Sequence, residues 1–162
     1  MTSGLPEFAV PTAPFRGFDA AARTVLDQLH WRLGFGLWVV TELVGGRHVI
    51  RVARDERYDV REGAWYPWLD RYCNTAAQQA GPQLVWDCRA APIYAAMPRS
   101  AEAPVSAYVG TPLWRTDGAM FGTISAFDPL PQMDEILGGL PLLQVVARLL
   151  STVFVAEVSA AA

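Results

Sequence analysis

Residues 105–128 read VSAYVGTPLWRTDGAMFGTISAFD. Two β-rich runs, Val105 to Arg115 and Met120 to Phe127, flank Thr116-Asp117-Gly118, a turn sequence whose glycine suits a positive φ. The stretch predicts an antiparallel hairpin ended by Asp128-Pro129. Side chains alternate across a strand, so Tyr108, Gly110 and Pro112 share one face, and Thr123, Ser125 and Phe127 share the matching one. Val109, Leu113, Ile124 and Ala126 then face the other way, and their apolar character fits a helix-covered core.

Outward from this hairpin the chain is ordered almost symmetrically. Asp19 is placed as an N-cap for a first helix in which Ala22, Val25, Leu26, Leu29 and Leu33 recur at three and four, with Gly34 as its stop. Leu37 to Val44, Gly45-Gly46 and His48 to Ala53 make a second hairpin. Asp55 to Gly63 is charged and turn-rich. Pro67 opens a short helix that runs to Ala80 and ends at Gly81-Pro82. Leu84 to Trp86 reads as a short strand, Ala91 to Met97 as a turn or single helical turn, and Ser100 to Pro104 as a loop.

At the C-terminal end Gly138-Gly139 breaks the pattern and Pro141 starts a helix reaching Ala160. One stripe of that helix is Leu143, Val146, Leu150 and Phe154; a second, Leu142, Val145, Leu149 and Val153, lies beside it. The expected architecture is α+β: an antiparallel sheet with terminal helices on one face and an irregular middle closing the other, an arrangement that favours a small-molecule cavity. Residues 1–18, with Pro6, Pro11 and Pro14, are assigned to an arm or linker and 19–162 to one domain.

Composition narrows the function. The 162 residues are 52% hydrophobic and 18% charged, a globular balance. A net charge of -3 gives no basic field for a phosphate backbone, so nucleic acid is not an expected partner. Every basic residue other than two histidines is arginine, which excludes Schiff-base and P-loop lysine chemistry. Two cysteines, Cys73 and Cys88, fall short of a disulfide framework, and no basic-then-apolar leader opens the chain. The run Val145 to Val158 is interrupted by Arg148, Ser151, Thr152 and Glu157, so no membrane span is expected. A cytoplasmic protein with reduced thiols follows.

The stretch Ala107 to Leu113 with Asp117 to Asp128 closely resembles the paired C-terminal strands of GAF domains, and Pro67-Trp68-Leu69-Asp70-Arg71-Tyr72-Cys73 is similar to the tryptophan, aspartate and cysteine helix of many bacterial members. The resemblance covers about Asp19 to Glu157. It implies a GAF-like twisted antiparallel sheet, terminal helices on one face and a ligand pocket on the other. The segment Leu149 to Glu157 looks like the helices that run into cyclic-di-GMP synthase domains, although no such domain lies in this chain. The lysine-containing motif of cyclic-nucleotide-binding relatives is missing, as are the cysteine-histidine pair and aspartate-isoleucine-proline motif of bilin binders. Cyclic AMP, cyclic GMP and a covalent chromophore are thereby disfavoured.

The ligand-binding residues expected from this reading are Trp68, Asp70, Cys73, Trp86, Asp87, Tyr94, Tyr108, Thr123, Ser125 and Phe127. The aromatic members, with Trp65, can stack on a planar ligand, and the polar ones can orient it. The ligand's identity is left open, a nucleotide other than the cyclic ones being one class, and no cofactor is assigned. His30 and His48 each lack a second metal ligand at suitable spacing and are read as solvated. The resulting function is a non-catalytic sensory domain that regulates an attached or partner output domain, with a homodimer formed through the terminal helices. The alternatives are a thiol-dependent reductase of the free methionine-R-sulfoxide reductase type, using Cys73 or Cys88, and a purely structural dimerisation module.

Overall fold

The computed structural model describes residues 11–79, 82–98 and 103–162. Its elements are α1 (Phe18–Leu33), β1 (Leu37–Val44), β2 (Arg47–Asp55), α2 (Pro67–Gln78), β3 (Gln83–Val85), α3 (Pro92–Ala95), β4 (Ala107–Trp114), β5 (Met120–Asp128) and α4 (Leu140–Ala161), with 3-10 turns at Cys88–Ala90 and Asp134–Gly139. The five strands form one antiparallel sheet in the order β2-β1-β5-β4-β3. The expected α+β, GAF-like arrangement is the one observed.

The order follows from burial. Each residue of β5 from Phe121 to Phe127 is buried, so this strand takes the centre, with β1 on one side and β4 on the other. The predicted alternation holds. Val109, Leu113, Ile124 and Ala126 pack on the α1 and α4 side with Trp38, Leu26, Leu29, Leu143 and Leu150. Tyr108 and Phe127 pack on the opposite side with Leu37, Val39, Leu69, Tyr72 and Tyr94. On the helix side Phe121 stacks on Phe154 with centroids 3.7 Å apart, and Phe18 meets both edge-on. Pairs of this kind add about 0.5–1.5 kcal/mol beyond their buried area.

Three local differences from the expected pattern have physical causes. The first helix begins at Phe18, after Gly17 with φ 133°, because the Phe18 ring is wholly buried, edge-on against the stacked Phe121 and Phe154. Asp19 therefore lies inside the helix and, instead of capping it, meets Arg51 Nε at 2.6 Å. The short third strand is Gln83–Val85, which leaves Trp86 beyond the sheet, its carbonyl accepting from the Gln132 N–H at 2.7 Å. In β2 the register shifts opposite Val40/Thr41, Val40 facing Val52 and Thr41 facing Ile50, so Arg51 is an extra residue. Such a bulge reverses the side-chain phase. Ile50 consequently lies in the core beneath α2 while Val52 lies in the core beneath α1.

The proposed ends of α2 at Ala80-Gly81 and most of the loop Ser100 to Pro104 lie outside the described residues, as do residues 1–10 of the arm. The segment Asp134–Ala161 is long and apolar enough to cross a membrane by length and composition alone. In the fold its Leu143, Ala147, Leu150 and Phe154 are buried against the sheet.

β1 approaches β5 closely at Gly122, paired with Glu42, where a Cβ would collide with the Thr41 carbonyl oxygen and the adjoining backbone. Backbone cannot yield as a side-chain tip can. Gly122→Ala is expected to destabilise the domain by about 2 kcal/mol or more, read as a lowered urea midpoint with an unchanged slope.

Candidate functional site

The face of the sheet turned away from α1 and α4 carries polar side chains in an apolar setting. Thr41 from β1, His48 from β2 and Thr123 and Ser125 from β5 are all buried there, and Cys73 of α2 is wholly buried above them. They bond chiefly to one another. Thr41 Oγ1 lies 2.7 Å from Thr123 Oγ1, which lies 3.1 Å from Ser125 Oγ; Cys73 Sγ is 3.5 Å from both Thr123 Oγ1 and Ser125 Oγ. Thr41 Oγ1 also accepts from the Thr123 N–H at 3.1 Å and lies 3.2 Å from His48 Nδ1. His48 Nε2 has no hydrogen-bond partner among the described residues.

An aromatic layer borders this row. Tyr94 of α3 stacks on Tyr72 of α2, centroids 5.9 Å apart and planes 9° from parallel. Tyr108 touches Tyr72, Tyr94 and Phe127, and its hydroxyl donates to the Tyr72 carbonyl at 3.1 Å. Trp68 meets Phe127 edge-on at 5.1 Å and stacks with Tyr58 at 5.3 Å. The Tyr94 hydroxyl is buried without a hydrogen-bond partner among the described residues. A void of about 20 Å³ beside Tyr72, Tyr94, Cys88 and Met97 has room for about one water molecule.

Of the ten expected ligand-binding residues, Trp68, Cys73, Tyr94, Tyr108, Thr123, Ser125 and Phe127 converge on this face. Asp70 stands at its margin with both oxygens engaged, Oδ1 accepting from the His48 N–H at 2.7 Å and Oδ2 from Asn74 Nδ2 at 3.1 Å. Trp86 and Asp87 sit apart. They line a cleft of about 170 Å³ with Leu84, Val85, Ala90 and Ala91, and Asp87 caps the following 3-10 turn and pairs with Arg89. Thr41, His48 and Tyr72 lie at the same site, although none of the three is among the ten expected binding residues.

The histidines correct the expectation that both are solvated. His48 is fully buried, because the bulge at Arg51 turns the start of β2 toward α2. His30 is half-buried, its Nδ1 3.1 Å from the Phe35 carbonyl and its Nε2 3.3 Å from Glu56. Burial lowers the His48 pKa below its usual 6.5, and neighbouring Asp70 and Asn74 offset only part of that. Burial also pushes Cys73 up to about 11, with the nearby Asp70 charge adding to the shift, and it pushes Cys88 up to about 11, with Asp87 contributing. Tyr94 and Tyr108 are raised by burial as well. At neutral pH both thiols are therefore protonated, whereas a nucleophilic cysteine needs a lowered pKa and a cationic neighbour. Both cysteines are free. No group of three or more His, Cys, Asp or Glu suited to a metal occurs among the described residues.

No family model and no curated protein matches the chain in sequence. Solved structures match its fold. The GAF domain of an Acinetobacter phosphoenolpyruvate-protein phosphotransferase superposes with TM-score 0.67 at 12% identity, over 90% of this chain and 86% of that one. Free methionine-R-sulfoxide reductase from Neisseria meningitidis, solved with its substrate, gives 0.64 at 20% identity, over 88% and 81%. The photosensory core module of a Stigmatella aurantiaca phytochrome gives 0.65 at 12% identity, over 87% of this chain and 33% of that one. A reductase, a GAF domain of a phosphotransferase and a photosensory module share the architecture, so the likeness establishes a GAF-like fold and the chemistry rests on the residues.

Because His48 is held neutral in the fold, stability is fully present above its unfolded pKa near 6.5 and falls as pH drops toward the lower folded value. His48→Gln is expected to flatten that acid-side loss. Unfolding free energies by urea at a series of pH values between neutral and mildly acidic check it; parallel slopes for the two proteins would remove His48 as the cause.

Proposed function

We propose that this chain is a non-catalytic sensory and regulatory domain that binds a small molecule between the sheet and the α2–α3 layer. The observation that carries the reading is the buried row Thr41, Thr123, Ser125 and His48 beneath Tyr72, Tyr94 and Tyr108. A core built only for stability gains little from four buried polar side chains, one with an unpartnered nitrogen, because unpaired buried polar groups cost about 1–3 kcal/mol each. A ligand with its own donors and acceptors would satisfy the His48 nitrogen and the Tyr94 hydroxyl, and the tyrosines would stack on it. The ligand enters by displacing Tyr94 and α3, a helix of only four residues.

β4 and β5 join this face to α4, so ligand entry shifts the packing of the terminal helices against the sheet. The domain thereby controls an attached or partner output domain, such as one that makes or degrades cyclic-di-GMP, and it works in the cytoplasm with its thiols reduced. The helices also supply a homodimer contact. Val145 and Leu149 on α4 are 52% and 58% exposed, and Leu142 lies on the same stripe. Patches of this kind on a monomer favour association.

The tight packing around the void of about 20 Å³ supports a second reading, a structural dimerisation module whose pocket is filled by its own side chains. Native mass spectrometry of protein purified from its own host separates the two. A bound small molecule lost on Thr123→Val supports the sensor; a bare chain, together with no thermal shift from any nucleotide or metabolite tested, supports the module.

The protonated thiols give a further expectation. Cys73→Ser and Cys88→Ser should fold normally and leave ligand retention within about twofold, since neither thiol is asked to react. Turnover of free methionine-R-sulfoxide by the native chain, abolished by either change, would replace the sensor with the reductase. For the dimer, Val153 is half-buried against the core, so Val145→Glu with Leu149→Glu is the informative pair. It should give a folded monomer in sedimentation velocity where the native chain is a dimer.

A further inference from the structure

On the helix-covered side of the sheet, β4 and α4 leave a groove that neither core fills. β3 pairs with β4 only from Tyr108 to Gly110, so the outer edge of Thr111 to Trp114 has no strand beside it among the described residues. A groove of about 600 Å³ opens there against α4, lined by Thr111, Pro112, Trp114, Gln144, Arg148 and Thr152 among others. That volume is in the range of small-molecule sites.

The edge itself argues against a peptide strand as the occupant. Pro112 has no N–H to offer, and the Trp114 N–H is already donated to Ser151 Oγ at 3.1 Å. An incoming strand would find few main-chain partners. The lining side chains select something smaller. Arg148 is the one charged side chain along the groove, it is exposed, and it makes no ion pair among the described residues. Trp114 is 41% exposed. Thr111 in the floor keeps a buried hydroxyl with no hydrogen-bond partner among the described residues.

A guanidinium presents a planar fork that matches carboxylate and phosphate oxygens, and an indole face takes a flat apolar body. An exposed arginine alone holds an anion weakly; a concave wall with an aromatic face beside it supplies the remaining contact. We propose that this groove is a binding site for a small flat organic anion, a carboxylate or phosphate ester, with its charge at Arg148 and its body against Trp114. Such a ligand bridges α4 to the edge of the sheet. The site is independent of the one beneath the tyrosines, across the sheet, and stands or falls without it.

The test is a titration of the ¹⁵N-labelled full chain with benzoate, with phenyl phosphate and with uncharged benzamide, followed by amide shifts. Saturable shifts confined to the groove, at Thr111, Leu113, Trp114 and Ser151, are expected for one or both anions, and the tighter of the two tells carboxylate from phosphate. Arg148→Gln, an exposed change, should weaken the anion about tenfold, and benzamide should bind the native chain no better than the anion binds that variant. Absent or scattered shifts, equal binding by Arg148→Gln, or benzamide binding as tightly as benzoate would each overturn the proposal.

Discussion

The structure depends on a central strand that is buried on both faces and paired on both edges. β5 lies between β1 and β4, and from Phe121 to Phe127 none of it is left to water. Its two faces must therefore suit two different environments. Phe121, Ile124 and Ala126 serve the apolar packing under the terminal helices, while Thr123 and Ser125 look the other way. Gly122 allows β1 to come close enough for Thr41 to bond Thr123. The helix-side core and the polar row are thus two faces of one strand.

That arrangement explains why the lidded face has two characters at once. Its hydroxyls, thiol and imidazole are removed from water yet bond largely among themselves, and aromatic rings close over them. Low local dielectric strengthens each of those bonds and raises the cost of the unpaired nitrogen of His48 and hydroxyl of Tyr94. The same burial that holds His48 neutral keeps Cys73 protonated. The site is consequently suited to recognition by hydrogen bonding and stacking, and poorly suited to thiolate attack.

Much of this was legible in the residues. The Thr116-Asp117-Gly118 turn and the alternation from Tyr108 to Leu113 and from Thr123 to Phe127 were enough to assign both faces there, while Phe121, left over where the register shifts between Leu113 and Trp114, joins the helix-side core; the two stripes of α4 were legible as one buried and one more exposed. Seven of the ten expected binding residues meet because they lie on these regular elements or on α2 and α3, which pack directly over them. Trp86 and Asp87 do not, since a three-residue strand carries too little pattern to fix where it ends. His48 was misread for a different reason. Continuous alternation from His48 to Ala53 puts Ile50 and Val52 on one side, and nothing in those residue types marks Arg51 as the extra one. Its side chain is stabilised by distant partners, Asp19, Glu42 and Glu157, together with the ring of Phe18.

The bulge at Arg51 also bears on how this protein can change over evolutionary time. Side chains on either side of it are in opposite phase, so the single added residue acts as a frame correction between the half of β2 that serves the polar row and the half that serves the helices. Point substitutions at Arg51 alter one side chain. Loss of a residue there would rotate His48 and Ile50 out of one core and carry hydrophobic and polar groups to the wrong sides together. Length in β2 is therefore under tighter constraint than composition, and natural insertions or deletions are expected in the connections around the sheet before they are found in this strand.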